Sequence, residues 1–100
     1  MHAVIFEVWP RANRRDDYLK LAARLRAELE NIDGFVSVER FESLSEPGKL
    51  LSLSIWRDET AIRTWHEHAK HREAQGRRAD YFADYRIRVA GIIRDYGMSE

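Results

Sequence analysis

The sequence predicts an α+β, ferredoxin-like domain, β-α-β-β-α-β, with an antiparallel four-stranded sheet and both helices on one of its faces. Three observations carry that prediction. Two amphipathic helical stripes each follow a strand-like run, the turn SEPG (residues 45–48) joins the two middle runs into a hairpin, and a last alternating run follows the second stripe. No repeat, linker or low-complexity stretch interrupts the pattern, so one domain over residues 1–100 is expected.

Residues 3–9, AVIFEVW, are rich in β-branched and aromatic side chains and stop at Pro10, which marks a buried first strand. From about Arg14 to Asn31, Tyr18, Leu21, Ala22, Leu25, Leu29 and Ile32 recur at three- and four-residue steps. They form one apolar stripe, with Arg24, Arg26, Glu28 and Glu30 on the other faces. Asn13 can cap this helix, Asp16 and Asp17 suit the positive end of its dipole, and Asp33-Gly34 ends it. FVSVERFESL, residues 35–44, alternates as a second strand. KLLSLSIWR, residues 49–57, alternates again, with Leu51, Leu53 and Ile55 on one side and Ser52, Ser54 and Trp56 on the other. Asp58 reads as the cap of a second helix whose stripe begins with Ala61, Ile62 and Trp65 and runs to about Arg78. The last strand is read over residues 81–96, with Tyr85, Ile87, Val89 and Ile93 on one face.

Such a layout covers one face of the sheet and leaves the other open. The first strand is apolar on both sides, Val4, Phe6 and Val8 against Ala3, Ile5 and Trp9. An exposed apolar face of several hundred Å² is unusual for a monomer, on the order of the largest patches such proteins show. Face-to-face pairing of two sheets in a homodimer is the expected remedy.

Composition narrows the function. The 17 basic and 17 acidic side chains cancel, so no strong field draws nucleic acid or anionic lipid, and neither partner is expected. Absence of cysteine excludes disulfides, zinc–thiolate sites and thiol catalysis. The opening apolar run is too short to span a membrane, and its arginines follow it, the wrong order for a signal peptide. A soluble, cytoplasmic protein without membrane association is expected.

The segment WHEHAKH, residues 65–71, holds three of the four histidines. On a regular helix His68 and His71 share a side, while His66 points nearly opposite and is expected to be exposed without a role. Two histidines at that spacing need carboxylates from elsewhere to hold a metal, and the H-E-x-x-H pattern is absent, so no metal site is expected. Glu7 stands inside an otherwise apolar strand, where a carboxylate must be paired, solvated or raised in pKa. A functional role and an ion pair with Arg86 or Arg88 of the last strand remain equally open.

Taken together, AVIFEVWP, IDGFVSVERFESL, KLLSLSIWRDETAIRTW and FADYRIRV resemble the antibiotic biosynthesis monooxygenase family over nearly the whole chain. The resemblance implies a dimeric α/β barrel: a homodimer whose two sheets pair, with a ligand cavity in each subunit between sheet and helices. It also implies cofactor-free oxygenation of a flat aromatic or quinone-type small molecule, or oxidative haem opening. Haem-degrading relatives carry an asparagine on the first strand, a tryptophan on the second helix and a ligand histidine ten residues beyond. Trp65 matches the tryptophan, but Phe6 and Glu7 stand on the first strand and Gln75 at the ligand position. The cofactor-free reading is therefore the expectation, with no metal, flavin or haem. Trp65 matches the family's cavity tryptophan, and His71 lies near a tyrosine of the phenol-oxidising relatives, where an imidazole can act as base. Those relatives' asparagine one turn before the tryptophan is Ala61 here. The candidate site is His71 and Glu7 as catalytic groups, with Trp65 and Trp56 as substrate-binding walls. Trp65 and Trp56 serve equally well as core residues, and His71 as a structural histidine. The alternative function is a non-enzymatic, ligand-binding or stress-associated dimer.

Overall fold

The computed structural model describes residues 1–76 and 81–99, with side chains for all of these but 70–76. Its elements follow the predicted order: β1 (His2–Pro10), α1 (Arg15–Leu29), β2 (Phe35–Glu42), β3 (Leu50–Trp56), α2 (Glu59–Gly76) and β4 (Phe82–Gly91). All strand pairs are antiparallel, in the order β2-β3-β1-β4. No described helix is long and apolar enough to cross a membrane.

Local chemistry explains most boundaries. Asp58 Oδ1 accepts the Ala61 N–H at 2.9 Å, the cap expected for α2. At α1 the cap position falls to Arg14 instead of Asn13, with no side-chain cap bond, and Arg14 Nε reaches Asp17 Oδ2 at 2.8 Å. β4 is shorter than its alternation suggested. It pairs with β1 alone, and that ladder ends at His2↔Gly91, leaving Ile93 beyond the strand and 87% exposed.

Register fixes which side chains share a face. Three rows run across the sheet toward the helices: Val38–Ser54–Val4–Val89, Arg40–Ser52–Phe6–Ile87 and Glu42–Leu50–Val8–Tyr85. A bulge between Phe35 and Ser37 shifts the parity of β2. Phe35 therefore also turns to this side, its ring edge-on to Trp56 at 5.4 Å, while Val36 is left 53% exposed.

Under the helices the core divides in two. One cluster gathers Leu29, Val38, Trp56, Ala61 and Ile62; the other gathers Val8, Tyr18, Leu50 and Phe82. The opposite face of the sheet carries Ile5, Leu51, Leu53 and Ile55, which belong to neither cluster.

Candidate functional site

A packed sheet–helix layer would carry large apolar groups at the centre of every strand. Here the centre of β3 carries Ser52 and Ser54, and the helices set Ala22 and Ala69 above that part of the sheet. The shortfall in volume leaves a cavity of about 430 Å³ between the two core clusters. Its walls are mostly apolar, with Val4 and Phe6 below and Leu21, Leu25, Ile62 and Trp65 above. Ile87 and Val89 of β4 line it too and are 43% and 48% exposed, so the cavity opens toward that edge.

Its polar members are few. Arg40 rises from the floor of β2 beside its cross-strand partner Ser52. The Arg40 Nε is buried and has no hydrogen-bond partner among the described residues. Ser54 accepts the indole N–H of Trp56 at 2.8 Å. Glu59, Arg63 and His66, all exposed residues of α2, complete the lining.

The expected site residues part company in this frame. Trp65 lines the cavity and packs against the first core cluster. Its ring stacks on His68 at 5.4 Å, and His68 Nε2 lies 3.2 Å from Glu28 Oε1, tying α2 to α1. Trp56 is fully buried and does not line the cavity; it is core, with its N–H satisfied by Ser54. Glu7 points to the other face of the sheet, away from the cavity. It pairs there with Lys49 Nζ at 2.5 Å and with the Arg88 guanidinium. Lys49, then Arg88, holds its carboxyl below the usual range against the opposing effect of burial. The ion pair across the sheet is therefore present, with Arg88 as the last-strand partner. His71 belongs to the helical span of α2, but its side chain lies outside the described residues.

Of the polar side chains in the lining, Arg40, Ser52, Ser54, Glu59 and Arg63 were not among the expected site residues, and His66 was expected to have no role. The signal for Arg40 was its two-residue spacing from Val38, which puts both on one face of β2. Among the described residues no three histidine, aspartate or glutamate side chains gather in a way that could hold a metal ion.

Comparison with known proteins agrees with the fold and extends it. The family model described as antibiotic biosynthesis monooxygenase matches residues 1–77. A relative from Pyricularia oryzae, named jasmonate monooxygenase ABM, is 47% identical over 101 residues, covering all of this chain and 47% of the relative. The chain thus spans about half the length of the curated relative it matches. Among solved structures, Rv0793 from Mycobacterium tuberculosis superposes with a TM-score of 0.81 at 18% identity, over 96% of this chain and 98% of that one. The heme-degrader MhuD of the same organism, with two hemes bound, gives 0.78 at 16%, over 97% and 100%. SnoaB from Streptomyces nogalater, a cofactor-independent oxygenase, gives 0.76 at 14%, over 94% of each chain. At these identities the solved structures establish the fold alone.

Proposed function

The chain belongs to the antibiotic biosynthesis monooxygenase family, and from that premise we propose that it is a small-molecule monooxygenase working without metal, flavin or haem. The observation that carries this reading is the cavity, whose apolar walls close over a small set of polar groups. A purely apolar void would suit passive storage better.

The substrate class proposed is an electron-rich phenol or quinol. Such a compound needs no external reductant. Oxidation of a phenol by one dioxygen places one oxygen atom on the ring as a quinone carbonyl and releases the other as water. The protein then has three tasks: to hold a flat ring, to take the phenolic proton, and to keep water from the charged intermediate. Trp65, with Phe6 and Ile62, supplies apolar faces for the ring. His71 is the proposed base, and His66, which reaches the cavity lining, is the competing one. The name of the Pyricularia oryzae relative adds jasmonate to the compounds to be tried.

The working unit proposed is a homodimer joined through the open face of the sheet. Ile5, Leu51, Leu53 and Ile55, which lie outside both core clusters, support this pairing. The deciding experiment is oxygen uptake by metal-stripped protein across a panel of phenols and quinols, and with jasmonate in the presence of an added two-electron reductant, which that substrate would need. Uptake matched to product formation with one class is the expected result. No uptake with any of them, in protein that still binds panel members, would leave a ligand-binding protein in place of an enzyme.

A further inference from the structure

The polar end of the cavity has a definite chemistry. On the floor, Arg40 and Ser52 are cross-strand partners in the row that continues to Phe6 and Ile87. A guanidinium is charged at any pH the protein meets, and its N–H groups form a planar fork. Here the Nε is buried without a partner among the described residues, which is an unfavourable state for a charged donor. The nearest same-face carboxylate along β2, Glu42, is already held by Arg15 at 3.0 Å. Glu39 and Phe41, which flank Arg40 in sequence, pair across to Leu53 and Leu51 and so face away. The other charged groups reaching the lining are Glu59 and Arg63, both exposed on α2 and of opposite sign. Neither forms an ion pair with Arg40 among the described residues.

We propose that the ligand of this cavity is an amphipathic small molecule whose carboxylate docks on Arg40 and the Ser52 hydroxyl, with its apolar body against Phe6, Leu21, Leu25, Ile62 and Trp65. This rests on the reading of the cavity as the substrate site and adds the class of substrate it selects. A carboxylate presents two coplanar oxygens that match the guanidinium fork, and the adjacent hydroxyl can donate to the same group. The anchor also fixes which end of the ligand reaches α2. Selection follows from the anchor: an uncharged analogue brings the guanidinium no opposite charge, so it gains only the apolar contacts.

The test is titration calorimetry of the wild-type chain with matched pairs, 2-naphthoate against its methyl ester and jasmonate against its methyl ester. At least one acid is expected to bind about tenfold tighter than its ester or better, as one charge-assisted bidentate contact allows. Arg40→Met, of similar length and apolar, is expected to erase the preference while leaving ester affinity and thermal midpoint unchanged or raised. Arg40→Lys restores charge without the fork and is expected to restore only part of the preference. Ser52→Ala is expected to narrow it, and Arg26→Gln, an exposed change on α1 outside the lining, to leave it intact. Equal affinity of acids and esters in the wild type would overturn the carboxylate anchor while leaving the cavity as a binding site. Failure of all four compounds to bind would overturn the anchor together with the reading of the cavity on which it rests.

Discussion

Trp56 donates its indole N–H to Ser54 Oγ at 2.8 Å, two residues back along β3, and both side chains are buried. The bond joins the two halves of the design. It satisfies the one polar atom of a fully buried ring, and it uses a small residue whose size helps leave the cavity open. Ser54→Ala removes the acceptor and leaves the N–H buried. Unfolding in urea is expected to show a loss of about 1–3 kcal/mol with an unchanged slope on denaturant. A change within experimental error would mean that the indole finds another acceptor.

Gly34 sets the entry to β2 and is intolerant of a side chain. Its φ is +96°, and an added Cβ would lie 2.7 Å from the Cβ of Ala61. Gly34→Ala is expected to destabilise by about 1–3 kcal/mol or more, from backbone strain and overpacking together. Ala61→Gly in the same chain should recover the steric part alone, which a double-mutant cycle in thermal unfolding will read.

Glu7 should govern stability in acid and not turnover. Its pKa is lowered in the folded chain, chiefly by Lys49 and then by Arg88. A lowered folded pKa contributes stability that is complete above the unfolded value, about 4.3, and is lost as pH falls through the folded value. Glu7→Gln is therefore expected to be less stable than the wild type at neutral pH, with the gap closing below about pH 4. Its oxygen uptake should match the wild type, because the residue faces away from the cavity. A large loss of turnover in folded Glu7→Gln would return it to the catalytic set.

The two candidate bases can be separated by substitution. His71→Ala is expected to cut turnover by about tenfold or more, the contribution of a positioned base, with the fold intact by circular dichroism. His66→Ala is expected to have a smaller effect, since that side chain is exposed where it reaches the lining. The reverse order would transfer the role to His66.

Dimerisation makes its own prediction. Light scattering at micromolar concentration should give twice the chain mass, and Leu53→Glu, on the open face of the sheet, should halve it. A monomeric wild type would overturn the pairing.

The sequence by itself determined the order and type of all six elements, because strand alternation, helical stripes and turn residues are local signals. It also made the apolar open face legible, since β1 and β3 carry large apolar groups there whatever the register. It marked Trp65, whose stripe with Ala61 and Ile62 turns it to the core side of α2. It left undecided which face of the sheet each polar side chain would reach. Parity along one strand gives two faces but no labels, and only pairing with neighbours assigns them. That assignment put Glu7 on the face away from the cavity, sealed Trp56 into the core and brought Arg40 and Ser52 together on the cavity floor. The cavity is likewise a property of the tertiary structure: it forms where small residues from β3, α1 and α2 meet, and no one of those segments signals it alone. Within WHEHAKH, His68 stacks on Trp65 and reaches Glu28 across the two helices, contacts that only the packing of α2 on α1 creates. A buried donor without a partner is a fact about its surroundings, and only the neighbours that pack around Arg40 leave its Nε in that state.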